Sequence, residues 1–164
     1  MTGQIAALAA ELGVRLGERN ALCATAESCT GGLVAGAVTA IAGSSGWFDR
    51  GWVTYSNEAK MEALGVPEIT LERHGAVSEA TARAMAEGAV ARSRASIAVA
   101  VTGVAGPGGG SPEKPVGMVC FAWATSGAAT VAATHHFPGD RQAVREASVV
   151  VALEGLILTL DRPK

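Results

Sequence analysis

A serine hydroxyl lies where a short buried strand is predicted to turn sharply into a helix. Residues 21–26 are apolar, which predicts the strand, and apolar residues at helical spacing predict the helix over 33–42. The connecting residues, 27–32, have the sequence ESCTGG. Ligands of open α/β sheets bind at the carboxyl ends of strands, so Ser28 is a candidate nucleophile. The candidate backbone donors to a developing oxyanion belong to Cys29, Thr30, Gly31 and Gly32.

A serine hydroxyl is nearly inert at neutral pH and needs a base. Lys60 follows the next predicted strand, which ends at Tyr55. If the two strands are neighbours, both residues approach Ser28 at one edge of the sheet, where desolvation favours the neutral form of a lysine. Lys60 would then take the serine proton, and Tyr55 would relay it or orient the amine. The residues alone leave three alternatives open: Ser28 caps the helix, Lys60 is solvated, and Tyr55 belongs to the core.

Other nucleophiles are less well placed. Cys29 adjoins Ser28, and a helix N-terminus lowers the pKa of a thiol, but the next position of a tight turn points elsewhere. The three histidines show no spacing that indicates a Ser-His-Asp triad, although spacing does not exclude one. The three cysteines show neither metal-ligand spacing nor a disulfide framework, so we expect no metal and a reduced compartment.

Two further features suit an anion. A glycine-rich loop, 103–115, follows a predicted central strand, and glycines let backbone N–H groups approach a phosphate. The loop lacks the ending of a P-loop and no helix follows it, so neither a nucleoside triphosphate nor a dinucleotide fingerprint is indicated. Arg141 and Arg145 share one face of the last predicted helix and could clamp a phosphate. A mobile surface loop and ordinary surface salt bridges are the alternatives. The loop residues expected at the ligand are Thr102, Gly103 and Gly106.

The elements that must position these residues alternate between helix and strand. Helices are predicted over 2–19, 33–42, 57–64, 78–94 and 140–160, with a short helical piece or turn over 71–75. Strands are predicted over 21–26, 47–55 (beginning near 51), 97–102, 116–124 and 128–136. This order predicts a single domain, 1–164, with a three-layer α/β/α sandwich and a mixed, mostly parallel sheet. A hairpin turn at Ser126-Gly127 makes at least one strand antiparallel.

Composition excludes several classes of partner. The net charge is −2 and aromatic residues make up 4% of the chain, so neither a basic surface nor stacking groups indicate nucleic acid. No apolar run is long enough to span a membrane. The first helix has no basic segment before its apolar residues, so we expect an amphipathic helix, not a signal peptide, and a cytoplasmic location.

Short motifs spread over nearly the whole chain resemble those of the CinA C-terminal domain family. Each motif is weak alone, and their order along the chain makes the set specific. They are AESCTGG (26–32), GSS (43–45), GWVTYSN (51–57) with Lys60, HGAVS (74–78), TGVAGP (102–107), KPVG (114–117) and GDR (139–141).

The resemblance implies a stand-alone form of this domain that hydrolyses the carboxamide of nicotinamide mononucleotide to nicotinic acid mononucleotide and ammonia. It maps the nucleophile to Ser28, the base to Lys60 and a helper to Tyr55, with no metal or organic cofactor. Family analogy also favours a homo-oligomer, specifically a dimer. Two alternatives stay open: a non-catalytic module that binds a nucleotide or a partner protein, and an enzyme for another small amide.

Overall fold

A five-stranded sheet, in the strand order β2-β1-β3-β4-β5, lies at the centre of the computed structural model, which describes residues 2–162. β1 pairs in parallel with both β2 and β3, whereas β4 pairs antiparallel with both β3 and β5. β4 therefore runs against the other four strands of this sheet. The strands are β1 (Cys23–Glu27), β2 (Phe48–Val53), β3 (Ile97–Gly103), β4 (Met118–Thr125) and β5 (Ala128–His136).

Helices cover both faces of the sheet. The helices are α1 (Gly3–Glu18), α2 (Leu33–Thr39), α3 (Asn57–Leu64), α4 (Glu68–His74), α5 (Glu79–Ala91) and α6 (Arg141–Leu160). α1, α2 and α6 pack together on one face, and α5 lies on the other face with α3 and α4 against it. The predicted three-layer α/β/α sandwich with a mixed, mostly parallel sheet is confirmed. None of the helices between residues 2 and 162 is both long and apolar enough to cross a membrane.

The face under α5 is built from small side chains. Ala98, Ala100 and Ala122 on the strands pack with Ala82 and Ala86 on the helix, all of them buried. Small residues on both surfaces let a helix approach a sheet closely, and dense packing of this kind is stabilising without large aromatic groups. This explains how a chain with 4% aromatic residues forms a core.

Several predicted ends are wrong by a few residues. α2 ends at Thr39 instead of residue 42, because the chain turns there and Gly43 adopts a φ of 88° before a short 3₁₀ helix. β4 begins at Met118 instead of residue 116, because Gly117 has a φ of 95°, which lies outside the strand region. α4 begins already at Glu68, where Pro67 occupies the N-cap position.

The close approach of α5 to α3 gives a test of this packing. A Cβ atom at Gly88 would overlap the backbone carbonyl of Leu64, so we expect Gly88→Ala to destabilise the protein by about 1–3 kcal/mol. Gly17 in α1 is the matched control, because a Cβ atom there meets no heavy atom within 4 Å. Gly17→Ala should be neutral or stabilise by about 0.5–1 kcal/mol. Urea unfolding measures both, and equal stabilities would contradict the α3–α5 contact.

Candidate active site

Ser28 directly follows β1, and hydrogen bonds to both neighbouring strands hold the chain there. The Ser28 N–H donates to the Val101 carbonyl of β3 at 2.9 Å, and the Thr54 N–H donates to the Glu27 carbonyl at 2.8 Å. The hydroxyl is therefore presented at the carboxyl ends of three parallel strands, where α/β proteins bind ligands. Ser28 is half-buried.

Lys60 reaches Ser28 from α3. Its side chain is only 2% exposed, and its amine lies 3.0 Å from the Ser28 hydroxyl and 2.7 Å from the Thr54 carbonyl, to which it donates. Ser56 fixes the start of α3 by accepting a hydrogen bond from the Ala59 N–H. The alternative of a solvated Lys60 is wrong. Sequence reasoning missed the Thr54 carbonyl, because nothing in the residue types marks a backbone oxygen as a lysine partner.

Burial lowers the pKa of the Lys60 amine below its ordinary value of 10.5, since desolvation penalises the ammonium form. The Cys29 thiol opposes this shift. Among the ion pairs of the described chain, none involves Lys60. A lysine with a hydroxyl and a carbonyl as its partners, and no carboxylate, is suited to act as a neutral amine.

Tyr55 does not join this pair. Its side chain is 63% exposed, and its hydroxyl lies 2.9 Å from a guanidinium nitrogen of Arg141. Consecutive residues of an extended chain face opposite sides, so Tyr55 points outwards where Thr54 is buried. The expected relay through Tyr55 is corrected: Lys60 contacts Ser28 directly. The alternative of Tyr55 in the core is also wrong.

The turn after Ser28 is held by the buried carboxylate of Glu27. Gly32 occupies the N-cap position of α2, and its N–H donates to Glu27 at 3.2 Å, so the alternative of Ser28 as helix cap is wrong. The Gly31 N–H donates to the Ser28 carbonyl at 2.9 Å. Both expected oxyanion donors at Gly31 and Gly32 are therefore already bonded. Of the four expected donors, the N–H groups of Cys29 and Thr30 have no acceptor within residues 2–162.

Cys29 is not prepared to act as a nucleophile. Its side chain is buried, and this burial raises the pKa of the thiol to about 11. The thiol is therefore protonated at neutral pH, and the thiolate is the reactive form of cysteine.

The glycine-rich loop offers less to a ligand than expected. Thr102 is buried and its hydroxyl donates to the Ala76 carbonyl at 2.8 Å. Gly103 still belongs to β3, paired with Val119. The Thr102 hydroxyl and the Gly103 backbone are thus bonded within the protein, and contact of these two residues with a ligand stays a prediction. Gly106 is also buried, and its carbonyl accepts a hydrogen bond from Arg141 at 2.8 Å.

The two arginines of α6 have separate partners. Arg141 is exposed and bridges Gly106 and Tyr55. Arg145 is half-buried and donates to the Cys29 carbonyl at 3.1 Å and to the Thr30 carbonyl at 3.3 Å. Which of the two arginines binds an anion stays a prediction. Beside Arg141 lies an open cavity of about 460 Å³, whose lining also includes Ala105, Pro107, Val116, Gly139, Asp140 and Gln142.

Neither a metal site nor a histidine base accompanies the serine. Within the described residues, no group of three or more His, Cys, Asp or Glu is placed to hold a metal ion. His135 stacks against Phe137 and meets the edge of Phe121. Among residues 2–162, the hydrogen-bond partner of the Ser28 hydroxyl is the Lys60 amine.

The chain is thus an α/β domain in which a serine and a buried lysine are in contact at the carboxyl ends of parallel strands. The family model described as the CinA C-terminal domain matches residues 5–160, and the chain belongs to this family. The competence/damage inducible protein CihA of Agrobacterium tumefaciens has a crystal structure with a TM-score of 0.96 and 49% identity, covering 99% of this chain and 98% of that one.

Curated relatives differ in length. A protein of Escherichia coli K12 named nicotinamide-nucleotide amidohydrolase PncC is 53% identical over 149 residues, which cover 91% of this chain and 90% of the relative. A CinA-like protein of Akkermansia muciniphila is 54% identical over 142 residues, which cover 87% of this chain and 34% of the relative. The chain thus spans about a third of the length of some curated relatives and about nine tenths of others.

The buried amine predicts a pH dependence of stability. As pH falls below 10.5, the unfolded state protonates Lys60 first, because the pKa is lowered in the folded state. The stability that Lys60 contributes is fully present above 10.5 and is lost as pH falls to the lowered pKa. In urea unfolding between neutral pH and 10.5, Lys60→Met should therefore gain less stability with rising pH than the parent. Identical slopes would contradict a lowered pKa of Lys60.

Proposed function

We propose that this chain is an amidohydrolase that converts the carboxamide of nicotinamide mononucleotide to a carboxylate, giving nicotinic acid mononucleotide and ammonia. The observation that carries the proposal is the 3.0 Å contact between the buried Lys60 amine and the Ser28 hydroxyl. The Escherichia coli relative that is 53% identical over 90% of its length is named nicotinamide-nucleotide amidohydrolase, which supports this substrate.

The first step forms an acyl-enzyme. The neutral amine of Lys60 accepts the Ser28 proton as the oxygen attacks the carboxamide carbon, and the amide oxygen becomes an oxyanion. The free N–H groups of Cys29 and Thr30 receive this oxyanion. A single donor of this kind contributes a factor of roughly 10²–10³ to kcat in other hydrolases.

The remaining steps return the site to its starting state. The Lys60 ammonium gives its proton to the amide nitrogen, the C–N bond breaks, and ammonia leaves. A water molecule then gives a proton to Lys60 and attacks the ester that links Ser28 to the substrate. The C–O bond to Ser28 breaks, Ser28 regains its proton from Lys60, and the product leaves as a carboxylic acid that ionises in water.

Arg141 is the proposed phosphate ligand. It is exposed and lines the 460 Å³ cavity, and its guanidinium donates to the Gly106 carbonyl and to the Tyr55 hydroxyl. Guanidinium groups suit phosphate because they offer parallel N–H donors. In this proposal Tyr55 holds Arg141 in place. This role of Tyr55 replaces the one expected from the sequence, in which Tyr55 helps Lys60.

A homodimer stays a prediction.

Loss of the nucleophile tests the proposal most simply. Ser28→Ala should release ammonia from nicotinamide mononucleotide at least roughly 10³-fold more slowly than the parent, as expected for loss of a covalent catalyst. The exposed Ser45→Ala is the matched control and should retain the parent rate. A parent that shows a thermal shift with the nucleotide but no ammonia is a binding module instead. A parent active only on other amides in a panel would refute the substrate.

The pH profile tests the base. Because Lys60 must be neutral to accept a proton, kcat/KM should rise with pH through the lowered pKa of Lys60 and level off above it. Lys60→Met should lose both the activity and this rise. A Lys60→Met protein that turns over at the parent rate would assign the base elsewhere.

The proposed role of Arg141 predicts that its loss changes KM for the nucleotide. Arg141→Ala should raise KM for the nucleotide roughly tenfold or more, because hydrogen bonds to charged groups contribute about 1.5–3 kcal/mol. Arg83, which donates to the Thr130 carbonyl on β5, is the matched control for charge. Arg83→Ala should leave KM unchanged. An unchanged KM in Arg141→Ala would place the phosphate elsewhere.

A further inference from the structure

Glu27 is a fully buried carboxylate, and its two oxygens accept four hydrogen bonds. One oxygen accepts from the Thr30 hydroxyl at 2.6 Å, the Val34 N–H at 2.9 Å and the Gly32 N–H at 3.2 Å. The other accepts from the Ala35 N–H at 3.0 Å. A buried carboxylate is costly unless donors satisfy it, and here every donor comes from the segment that follows Ser28.

These bonds connect the end of β1 to the first turn of α2. Gly32 caps α2 without any side chain of its own, so Glu27 supplies the acceptor that a helix start requires. Its negative charge also lies at the positive end of the helix dipole. The start of α2 is thereby occupied by the protein itself, and the N–H groups of Gly32, Val34 and Ala35 are not available to a substrate.

Arg145 holds the carbonyl groups of the same turn. Its guanidinium donates hydrogen bonds to the carbonyls of Cys29 and Thr30, whereas the Glu27 carboxylate accepts hydrogen bonds from N–H and hydroxyl groups. In a trans peptide the C=O and N–H point in opposite directions. The bond from Arg145 to the Cys29 carbonyl therefore turns the Thr30 N–H away from Arg145.

We infer that Glu27 is a positioning residue, which with Arg145 fixes the turn so that the N–H groups of Cys29 and Thr30 face the oxygen that develops on a substrate of Ser28. Glu27 touches no reacting atom. It acts through the backbone of the turn, by removing the competing donors and fixing the orientation of the two that remain. This inference rests on the proposed role of Ser28 as nucleophile.

A purely structural carboxylate and a positioning carboxylate predict different data. Loss of a structural contact lowers the melting temperature and leaves turnover by the folded fraction unchanged. Loss of positioning lowers the rate of the folded enzyme, because a misplacement of about 1 Å in an active site costs roughly 10²-fold. Substrate binding in the ground state changes little, because the oxyanion forms only during the reaction.

Glu27→Gln is the direct test, since the amide keeps the shape but turns one acceptor into a donor that faces N–H groups. At a temperature where the variant is folded by circular dichroism, kcat for nicotinamide mononucleotide should fall at least roughly tenfold, with KM within roughly twofold of the parent. Ser78→Ala is the matched control, because Ser78 caps α5 by accepting from the Thr81 N–H and its hydroxyl donates to Gly75, not to the turn after Ser28. It should lower the melting temperature and leave kcat unchanged.

A second readout does not depend on the substrate. A fluorophosphonate reacts with an activated serine through a charged oxygen at the same position, and mass spectrometry measures the labelling rate of Ser28. Glu27→Gln should be labelled at least roughly tenfold more slowly than the parent. A folded Glu27→Gln that is labelled and turns over at the parent rates would overturn the inference. A parent that is labelled but releases no ammonia would refute only the substrate proposal, and a parent that is neither labelled nor active would contradict both.

Arg145→Met keeps the inference testable if Glu27→Gln does not fold. The methionine retains much of the packing of the half-buried side chain but removes both donors to the turn. We expect the same slow labelling of Ser28 and the same loss in kcat at constant KM. A raised KM with an unchanged kcat would show instead that Arg145 binds substrate, and labelling at the parent rate would contradict the hold on the turn.

Discussion

Removal of the Lys60 amine from water is the constraint on which the chemistry proposed for this domain depends. An ammonium group with a hydroxyl and a carbonyl as partners, and no carboxylate, is destabilised relative to the neutral amine. The fold maintains that burial through packing away from the site. α3, which carries Lys60, is pressed against α5 at the closest approach of Leu64 to Gly88. The burial of the Lys60 amine thus depends in part on a small residue of α5, Gly88.

The turn after Ser28 is held in place by a different kind of interaction. The turn after Ser28 contains two glycines with positive φ, 57° at Gly31 and 105° at Gly32, and such a turn has little stiffness of its own. Glu27 and Arg145 hold the turn in place. Glu27 accepts hydrogen bonds from N–H groups of the turn and of α2, and Arg145 donates to carbonyls of the turn. Packing between helices positions Lys60, and hydrogen bonds of Glu27 and Arg145 position the turn after Ser28.

Local pattern predicted much of this arrangement. The strand–turn–helix around Ser28 and the helix of Lys60 follow from hydrophobic spacing and from turn residues, which act over short distances. These are the parts for which the physical cause lies within a few residues of the effect. The sequence left the adjacency of β1 and β2 conditional, and their parallel pairing is seen only in the structure.

Several of the errors concern partners far apart in the sequence. Arg145 donates to Cys29 across 116 residues, and Arg141 pairs with Tyr55 across 86. Helical spacing shows that the two arginines share a face, but not which carbonyl or hydroxyl lies opposite each. The burial of Thr102 beneath Ala76 likewise depends on how a loop from another layer passes over β3. Such contacts are set by the assembled fold, and residue types near each position do not encode them.

The protonation state of Lys60 is the most direct measure of the central claim. The chain contains three lysines, so ¹³C labelling at Cε gives a spectrum simple enough to follow each amine with pH, and Lys60→Met identifies the signal. We predict that the Lys60 signal of the folded protein titrates clearly below 10.5, with its midpoint at the pH where kcat/KM reaches half of its plateau. A Lys60 signal that titrates at or above 10.5 would show an ammonium at working pH and would contradict its role as the base of Ser28.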